Sequence, residues 1–219
     1  MMHSSFNTVI FDLDGTLIDS SASIIESLNS AFLSCQIIPK ELLNSDIIGP
    51  PLMEILTILS GTSEQKILNN LANEFKSYYD NHGYKKTIVF PGVIKMLKDF
   101  KNSNLKIYIA TNKRIYPTNQ IIDMLNWGEI FNGVYALDSI YPKASSKGHL
   151  LTEIIEVNNL IADKVVYIGD REDDYKAAID SGLNYKMATW GYAAKEELQL
   201  NIDKVDNPIT LSDRLLRNP

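Results

Sequence analysis

Two aspartates follow a short apolar segment near the start of the chain. Asp12 and Asp14 come directly after the run Thr8–Phe11, in the string VIFDLDGTLIDS. Such a run is typical of a strand buried on both faces, and open parallel sheets bind ligands at the carboxyl ends of their strands. Aspartate also favours turns, so a purely structural role beside Gly15 is the alternative. Because a carboxylate at the end of a buried strand must be desolvated or paired, we favour a chemical role for both residues.

A second group of acids follows another apolar run, Val165–Gly169. Asp170 comes first, Glu172 and Asp173 follow, and a helical pattern then begins at Asp174. Acids at a helix start can simply be caps. Carboxylates at two strand ends, however, indicate a hard cation, and oxygen donors without His or Cys favour Mg²⁺ over zinc. The sequence therefore predicts a magnesium site shared by two strand ends.

Hydroxyl, amide and basic groups accompany these acids. Thr111 and Asn112 follow a third apolar run at residues 106–110, where a hydroxyl and free backbone amides suit phosphate oxygens. A helix cap is the alternative explanation for these two residues. Lys143 and Lys147 precede a predicted helix, where lysine is unfavourable unless an anion lies nearby. These residues favour a phosphate partner.

The elements that must position these groups form a regular pattern. Short apolar runs alternate with helical periodicity, which predicts an α/β fold with a Rossmann-like, doubly wound parallel sheet. Residues 20–84 break this pattern, because their periodicity is helical throughout. We therefore expect an α/β core formed by residues 1–19 and 85–219. The inserted residues 20–84 are expected to form an all-helical cap domain.

Composition narrows the classes of partner. The 219 residues include 21 Lys and Arg and 27 Asp and Glu, and the net charge of −6 disfavours binding to nucleic acid or to an anionic membrane. The single cysteine, Cys35, excludes an intramolecular disulfide. The sequence has a short polar start without a signal core, and lacks the roughly 20 apolar residues of a membrane span. We therefore expect a cytoplasmic protein, and its oligomeric state stays open.

Taken in order, these motifs resemble the haloacid dehalogenase-like superfamily, in its phosphoglycolate phosphatase-like branch. The resemblance spans nearly the whole chain and rests on residues 12–16, Thr111, Lys147, and Asp170 with Asp174. It implies a Mg²⁺-dependent phosphatase, a phosphoric monoester hydrolase, acting on a small phosphorylated metabolite. A candidate substrate is 2-phosphoglycolate. It also implies that the helical cap selects the substrate.

The resemblance implies a role for each catalytic residue. Asp12 would be the nucleophile that becomes a phosphoaspartate. Asp14 would be the general acid for the leaving oxygen and then the base for water. Thr111 and the amide of Asn112 would bind the phosphoryl oxygens, and Lys147 would neutralise both the phosphate and Asp12.

The resemblance also implies a metal shell. The expected Mg²⁺ shell consists of Asp12, Asp14, Asp170 and Asp174. Asp14 would contribute its backbone carbonyl, and Asp174 would mainly support the site. Two assignments have rivals. Lys143 competes with Lys147, because many relatives carry Lys followed by Pro at this motif and neither lysine here does. Asp173 competes with Asp174, which the spacing favours.

Two other functions fit part of the pattern. A sugar phosphomutase of the β-phosphoglucomutase type would use every core residue, so the cap and an assay must separate it from a phosphatase. A non-enzymatic phospho-accepting module also places acids, Thr and Lys at strand ends. Such modules lack a helical insert after the first strand, and residues 20–84 form one in this sequence.

Overall fold

The computed structural model describes residues 6–44 and 47–216. In chain order the strands are β1 (Thr8–Phe11), β2 (Ile18–Asp19), β3 (Ile88–Val89), β4 (Lys106–Thr111), β5 (Gly133–Ala136), β6 (Val165–Gly169), β7 (Asn184–Ala188) and β8 (Lys204–Val205). The helices are α1 (Ser21–Ser34), α2 (Leu52–Ser60), α3 (Gln65–Asn81), α4 (Val93–Asn102), α5 (Ile115–Met124), α6 (Lys147–Val157), α7 (Glu172–Asp180) and α8 (Pro208–Leu216).

Within this part of the chain, six strands form one parallel sheet in the order β5-β4-β1-β6-β7-β8. Strand β1 lies inside the sheet, and its side chains alternate between two apolar layers. Val9 and Phe11 pack in one layer and Ile10 in the other, all at 0% exposure. This double burial explains the continuous apolar run, and it confirms the predicted α/β parallel sheet.

The strand order places a crevice at β1. The chain runs outward from β1 to β4 and β5, and then returns to β6 on the other side of β1. The carboxyl ends on either side of such a reversal leave room for a ligand. Phe11 pairs with Ile109 on one side and Ile168 on the other, so the residues after all three strands converge there.

The helices of the insert pack around an apolar cluster of their own. Its fully buried members include Leu28, Leu56 and Leu71. The antiparallel pair β2 and β3 lies where the chain enters and leaves this insert. The exact domain bounds of 20 and 84 stay a prediction. No helix within residues 6–44 and 47–216 has both the length and the apolar character needed to cross a membrane.

Some elements differ from the sequence prediction. A weak apolar run at residues 185–189 predicts a further strand, and this strand, β7, begins and ends one residue earlier. Strands β2, β3 and β8 were not predicted, because each has two residues and so shows no periodicity. The pairing of such short segments depends on tertiary contacts.

Candidate active site

Asp12 is held at the end of β1 by backbone and side-chain contacts. Its N–H donates to the carbonyl of Ile168 at 2.8 Å, which extends the β1–β6 ladder by one residue. Its Oδ1 accepts a hydrogen bond from Lys147 Nζ at 2.9 Å. Asp12 is only 6% exposed. A buried carboxylate with a single cationic partner is therefore fixed at the centre of the crevice.

Lys147 joins two of the predicted acids. It is the first residue of α6, and its Nζ lies 2.9 Å from Asp12 Oδ1 and 2.6 Å from Asp174 Oδ1. Ser146 caps the same helix, because its hydroxyl accepts a hydrogen bond from a backbone N–H of the first turn. The rival Lys143 is exposed. Of the two lysines, Lys147 is the one that reaches Asp12.

Asp174 is the third residue of α7 and organises the loop before it. Its Oδ2 accepts from the N–H groups of Asp170 and Arg171 at 3.1 and 3.2 Å, and its Oδ1 accepts from Tyr167 Oη at 2.9 Å. The sequence pattern placed the helix start at Asp174, and the structure places it at Glu172. Asp174 accepts from the N–H of Arg171 and so caps a helix that begins directly after Arg171, which explains the earlier start.

The rival acid Asp173 points away from this site. It is exposed, and it lies 3.7 Å from Lys176 of the same helix. Two neighbouring helical residues face different directions, because each residue turns about 100° around the axis. Asp174 is therefore the acid that the helix directs toward Asp12.

Three acids form a compact group suited to a cation. One carboxylate oxygen each from Asp12, Asp170 and Asp174 lies within 4.8 Å of the others, and all three residues are buried. Asp170 also accepts hydrogen bonds from the N–H of Tyr192 at 2.7 Å and from Thr16 Oγ1 at 3.4 Å. Buried carboxylates this close need a positive charge between them, and an all-oxygen donor set matches Mg²⁺. The residues therefore fit the predicted divalent cation.

Glycine makes the close approach possible. Gly15 has φ +85°, and a Cβ at this position would lie 2.2 Å from Asp170 Oδ2. Gly169 has no such φ, yet a Cβ there would meet the carboxylate of Asp174 at 2.4 Å. Both strand ends therefore need glycine so that the acids can converge.

The electrostatics of the group reflect its burial. Burial raises the pKa of Asp12 to about 7, Lys147 opposes this effect, and Asp174 adds to it. Burial, followed by repulsion from Asp174 and Asp12, raises the pKa of Asp170 well above its usual range. Burial lowers the pKa of Lys147, but Asp12 and Asp174 raise it by more, so the lysine stays charged.

Asp14 faces away from this group of acids. Its Oδ1 accepts a short hydrogen bond from Ser20 Oγ, and its Oδ2 lies 3.0 Å from Lys113 Nζ. Ser20 precedes the helical pattern of α1 and is a residue type that favours helix caps, but its side chain makes no capping bond. The Asp14 side chain therefore stands outside the three-acid group, and the expected role of its carbonyl stays a prediction.

Lys113 was missed as a core member of the site. From its sequence position after Asn112, Lys113 could contact the substrate or simply be solvated, whereas in the structure its side chain is 8% exposed. Besides Asp14 it contacts Tyr79 of α3, whose hydroxyl accepts its hydrogen bond at 2.9 Å. Burial lowers the pKa of Lys113, but Asp14 and Tyr79 raise it overall. The sequence signal that could have identified Lys113 is its position directly after Thr111 and Asn112, at the end of β4.

These side chains open into a cavity of about 100 Å³ between core and insert. Its core wall includes Asp12, Asp14, Thr111, Asn112, Lys113 and Lys147, and its opposite wall is mostly apolar: Ile24, Ile48, Leu52, Ile55 and Phe75. The hydroxyl of Thr111 accepts from the N–H of Lys113 at 3.1 Å, which fixes the turn after β4. The predicted catalytic and phosphate-binding residues therefore share one cavity.

Comparison with known proteins decides the family. The family model described as haloacid dehalogenase-like hydrolase matches residues 9–188. The chain belongs to this family. The match includes β1 from Val9 onward, the whole helical insert and the loops that carry all the predicted site residues.

Individual proteins are also similar to this haloacid dehalogenase-like hydrolase in sequence and in structure. It is 26% identical over 225 residues to a phosphoglycolate phosphatase from Psychrobacter arcticus, covering 95% of each chain. The tyrosine-protein kinase PtkA of Mycobacterium tuberculosis is 28% identical over 187 residues, which cover 84% of this chain but 62% of that protein. The solved structure of a predicted phosphatase from Clostridium acetobutylicum has a TM-score of 0.85 at 26% identity, covering 97% and 99% of the two chains. The family, fold and enzyme class, a phosphatase, are confirmed.

We expect the three-acid group of this haloacid dehalogenase-like hydrolase to make its stability depend on pH and on Mg²⁺. Burial raises the pKa of Asp12 to about 7 in the folded chain, whereas the pKa of an aspartate in an unfolded chain is about 4. Without metal, the contribution of this group to the free energy of unfolding therefore falls as pH rises through that window. Mg²⁺ should raise the melting temperature by several degrees at pH 8 and by less at pH 5, where protons compete.

Thermal melts in EDTA and in saturating Mg²⁺ at both pH values measure this difference. Asp170→Asn is the control, because it removes one acid from the group and should reduce the Mg²⁺ effect at pH 8. An equal Mg²⁺ effect at pH 5 and pH 8 would contradict the prediction.

Proposed function

We propose that the chain is a Mg²⁺-dependent phosphatase that hydrolyses a small phosphate monoester through a phosphoaspartate on Asp12. The observation that carries the proposal is the position of the Asp12 carboxylate. It lies beside Lys147, within 4.8 Å of two further buried acids, and on the wall of a cavity. A buried carboxylate, a lysine and room for a substrate therefore meet at one point, which supports the proposal.

The first step is attack of an Asp12 carboxylate oxygen on phosphorus. A carboxylate and a phosphate dianion repel each other, so the site must supply positive charge. Lys147 contributes one charge next to Asp12. Thr111 and the backbone amide of Asn112 are proposed to bind the phosphoryl oxygens. When bound, Mg²⁺ held by Asp12, Asp170, Asp174 and the Asp14 carbonyl would neutralise charge on the phosphate.

Asp14 is proposed to move the protons. It would protonate the leaving oxygen when the aspartyl-phosphate forms and then take a proton from the attacking water. Lys113 and Ser20 hold its carboxylate at the cavity wall. We propose that these contacts keep Asp14 near the leaving oxygen without crowding the acids around Asp12. Covalent capture in this way divides one difficult displacement into two steps.

The cavity favours a small substrate. Its volume is about 100 Å³, and residues of the helical insert form the apolar wall opposite Asp12. We propose that residues 20–84 act as the cap that selects the substrate. The first compound to test is 2-phosphoglycolate, because phosphoglycolate phosphatases are among the relatives. A cytoplasmic location belongs to the same proposal.

A panel of phosphate esters tests the function. We expect EDTA-sensitive release of phosphate from at least one small ester, with a loss of at least about 20-fold when Mg²⁺ is removed. Malachite green detection of phosphate, with 2-phosphoglycolate and p-nitrophenyl phosphate in the panel, measures this rate. Re-addition of Mg²⁺ should restore it.

Other outcomes would identify a different reaction. Transfer of the phosphoryl group to a second sugar hydroxyl, with little release of phosphate, would favour the phosphomutase. A stable phosphorylated protein without turnover would favour a phospho-accepting module. Rates that EDTA does not change would reject the metal-dependent mechanism.

A further inference from the structure

Two core side chains hold a segment of the helical insert over the cavity. Arg171 Nη1 donates to the carbonyl of Ile48 at 2.5 Å, and Asn112 Nδ2 donates to the next carbonyl, that of Gly49, at 3.2 Å. Ile48 is 1% exposed, and both Ile48 and Gly49 line the cavity. The position of residues 48–49 is therefore set by hydrogen bonds from the ends of β4 and β6.

Arg171 is itself held in place. Its Nε lies 3.0 Å from Glu197 Oε2, and the two side chains are 21% and 11% exposed. Glu197 also accepts hydrogen bonds from the N–H groups of Glu172 and Ala194, each at 2.7 Å. A planar guanidinium with a fixed carboxylate partner presents its remaining donors in one direction. Here that direction is toward Ile48.

The backbone of the insert fits closely around this guanidinium. Gly49 has φ +129°, and a Cβ there would lie 3.4 Å from Arg171 Nη1 and 3.5 Å from Arg171 Cγ. Glycine at this position lets the chain adopt the positive φ and pass directly over the arginine. The contact therefore depends on both partners, one in the core and one in the insert.

Resting on the proposed phosphatase function, we propose that Arg171 is a positioning residue that fixes residues 48–49 above Asp12 and so limits the size of the leaving group. Arg171 directly follows Asp170, and its own N–H donates to Asp174. The cavity wall is therefore tied to the same loop that carries the acids. The side chain of Arg171 acts through Ile48 and Gly49, and it is not among the residues that line the cavity.

The first test compares two esters that differ in size. Phenyl phosphate and 1-naphthyl phosphate have leaving groups of similar acidity, so their relative kcat/KM reports fit. We expect Arg171→Met to reduce the preference for the phenyl ester by at least about fivefold, mainly through KM. Arg171→Lys, which can still donate to one carbonyl, should restore part of the preference. Lys176→Met, on the exposed face of α7, is the matched control.

A second variant approaches the contact from the insert. Gly49→Ala places a methyl group against Arg171 and strains the backbone, and it leaves the acid loop unchanged. It should shift the ester preference in the same direction as Arg171→Met. An unchanged preference in both variants, or an equal loss on both esters, overturns the inference.

Hydrogen exchange gives a readout that does not need turnover. In Arg171→Met, the backbone amides of peptides that begin near residue 47 should exchange at least about threefold faster than in the wild type, because the hydrogen bond from Arg171 to Ile48 is lost. In Lys176→Met, their exchange should be unchanged. Unchanged exchange overturns the inference even if the enzyme is active. If the wild-type protein hydrolyses no ester but exchange still increases, the proposed function fails while the anchoring role stands.

Discussion

In Asp12→Asn, phosphate release from every ester is expected to fall by roughly 10⁴-fold or more. An amide is a poor nucleophile, so no aspartyl-phosphate forms. The substitution keeps the size of a side chain that is 6% exposed, and it removes one charge from the group of three buried acids. The loss is therefore expected in kcat, and initial rates in saturating Mg²⁺ measure it.

Asp173→Asn is the matched control for this variant. It makes the same chemical change on an exposed residue of α7, and the activity should be unchanged. Unchanged activity in Asp173→Asn would also favour Asp174 over Asp173 as the acid of the metal shell. Substantial activity in Asp12→Asn, or a large loss in Asp173→Asn, would contradict the proposed nucleophile and the proposed metal shell respectively.

Asp14→Asn is expected to slow both chemical steps with an alkyl ester, by roughly 10³-fold overall. An alkoxide leaves poorly without a proton, and water attacks poorly without a base. With p-nitrophenyl phosphate the leaving group needs little protonation, so formation of the aspartyl-phosphate should be affected less than its breakdown. The phosphorylated protein should therefore accumulate with this ester.

Rapid quenching followed by intact-protein mass spectrometry detects the phosphorylated form. Asp14→Asn should show it within the first turnover of p-nitrophenyl phosphate, and Asp12→Asn should show none. Wild-type rates in Asp14→Asn, for both the alkyl ester and p-nitrophenyl phosphate, would reject the acid and base role of Asp14.

The contacts of Asp14 give this expectation a structural basis. In an extended strand, residues i and i+2 point to the same side, so strand alternation does not separate Asp12 from Asp14. Both residues lie beyond the end of β1, where the chain turns and Thr16 N–H donates to the carbonyl of Leu13 at 3.3 Å. There Asp12 faces Lys147, and Asp14 faces Lys113 and Ser20. The two carboxylates therefore have different surroundings. This difference would allow Asp12 to attack phosphorus and Asp14 to donate and accept protons.

The local pattern predicted most of the sheet. Strands β1 and β6 have the expected bounds, because a strand buried on both faces must be apolar along its whole length. Strands β2, β3 and β8 have two residues each and carry too little pattern to detect. Their pairing depends on neighbours that are distant in sequence.

The contacts of the site were less predictable than its members. Ser20 has the sequence features of a helix cap, yet its hydroxyl donates to Asp14. Lys113 resembles a solvated lysine, yet it is buried between Asp14 and Tyr79. In each case the local chemistry allows two partners, and packing between elements decides which one is near.

The sequence alone therefore determined which residue types stand at the strand ends, because burial and helix periodicity act over a few neighbouring residues. It also determined the family, since its motifs occur in a fixed order. Only the tertiary structure decided which groups meet: Lys147 with Asp12 and Asp174, Lys113 with Tyr79, and Arg171 with Ile48. These contacts join residues separated by up to 135 positions, and strand register and helix packing fix such distances.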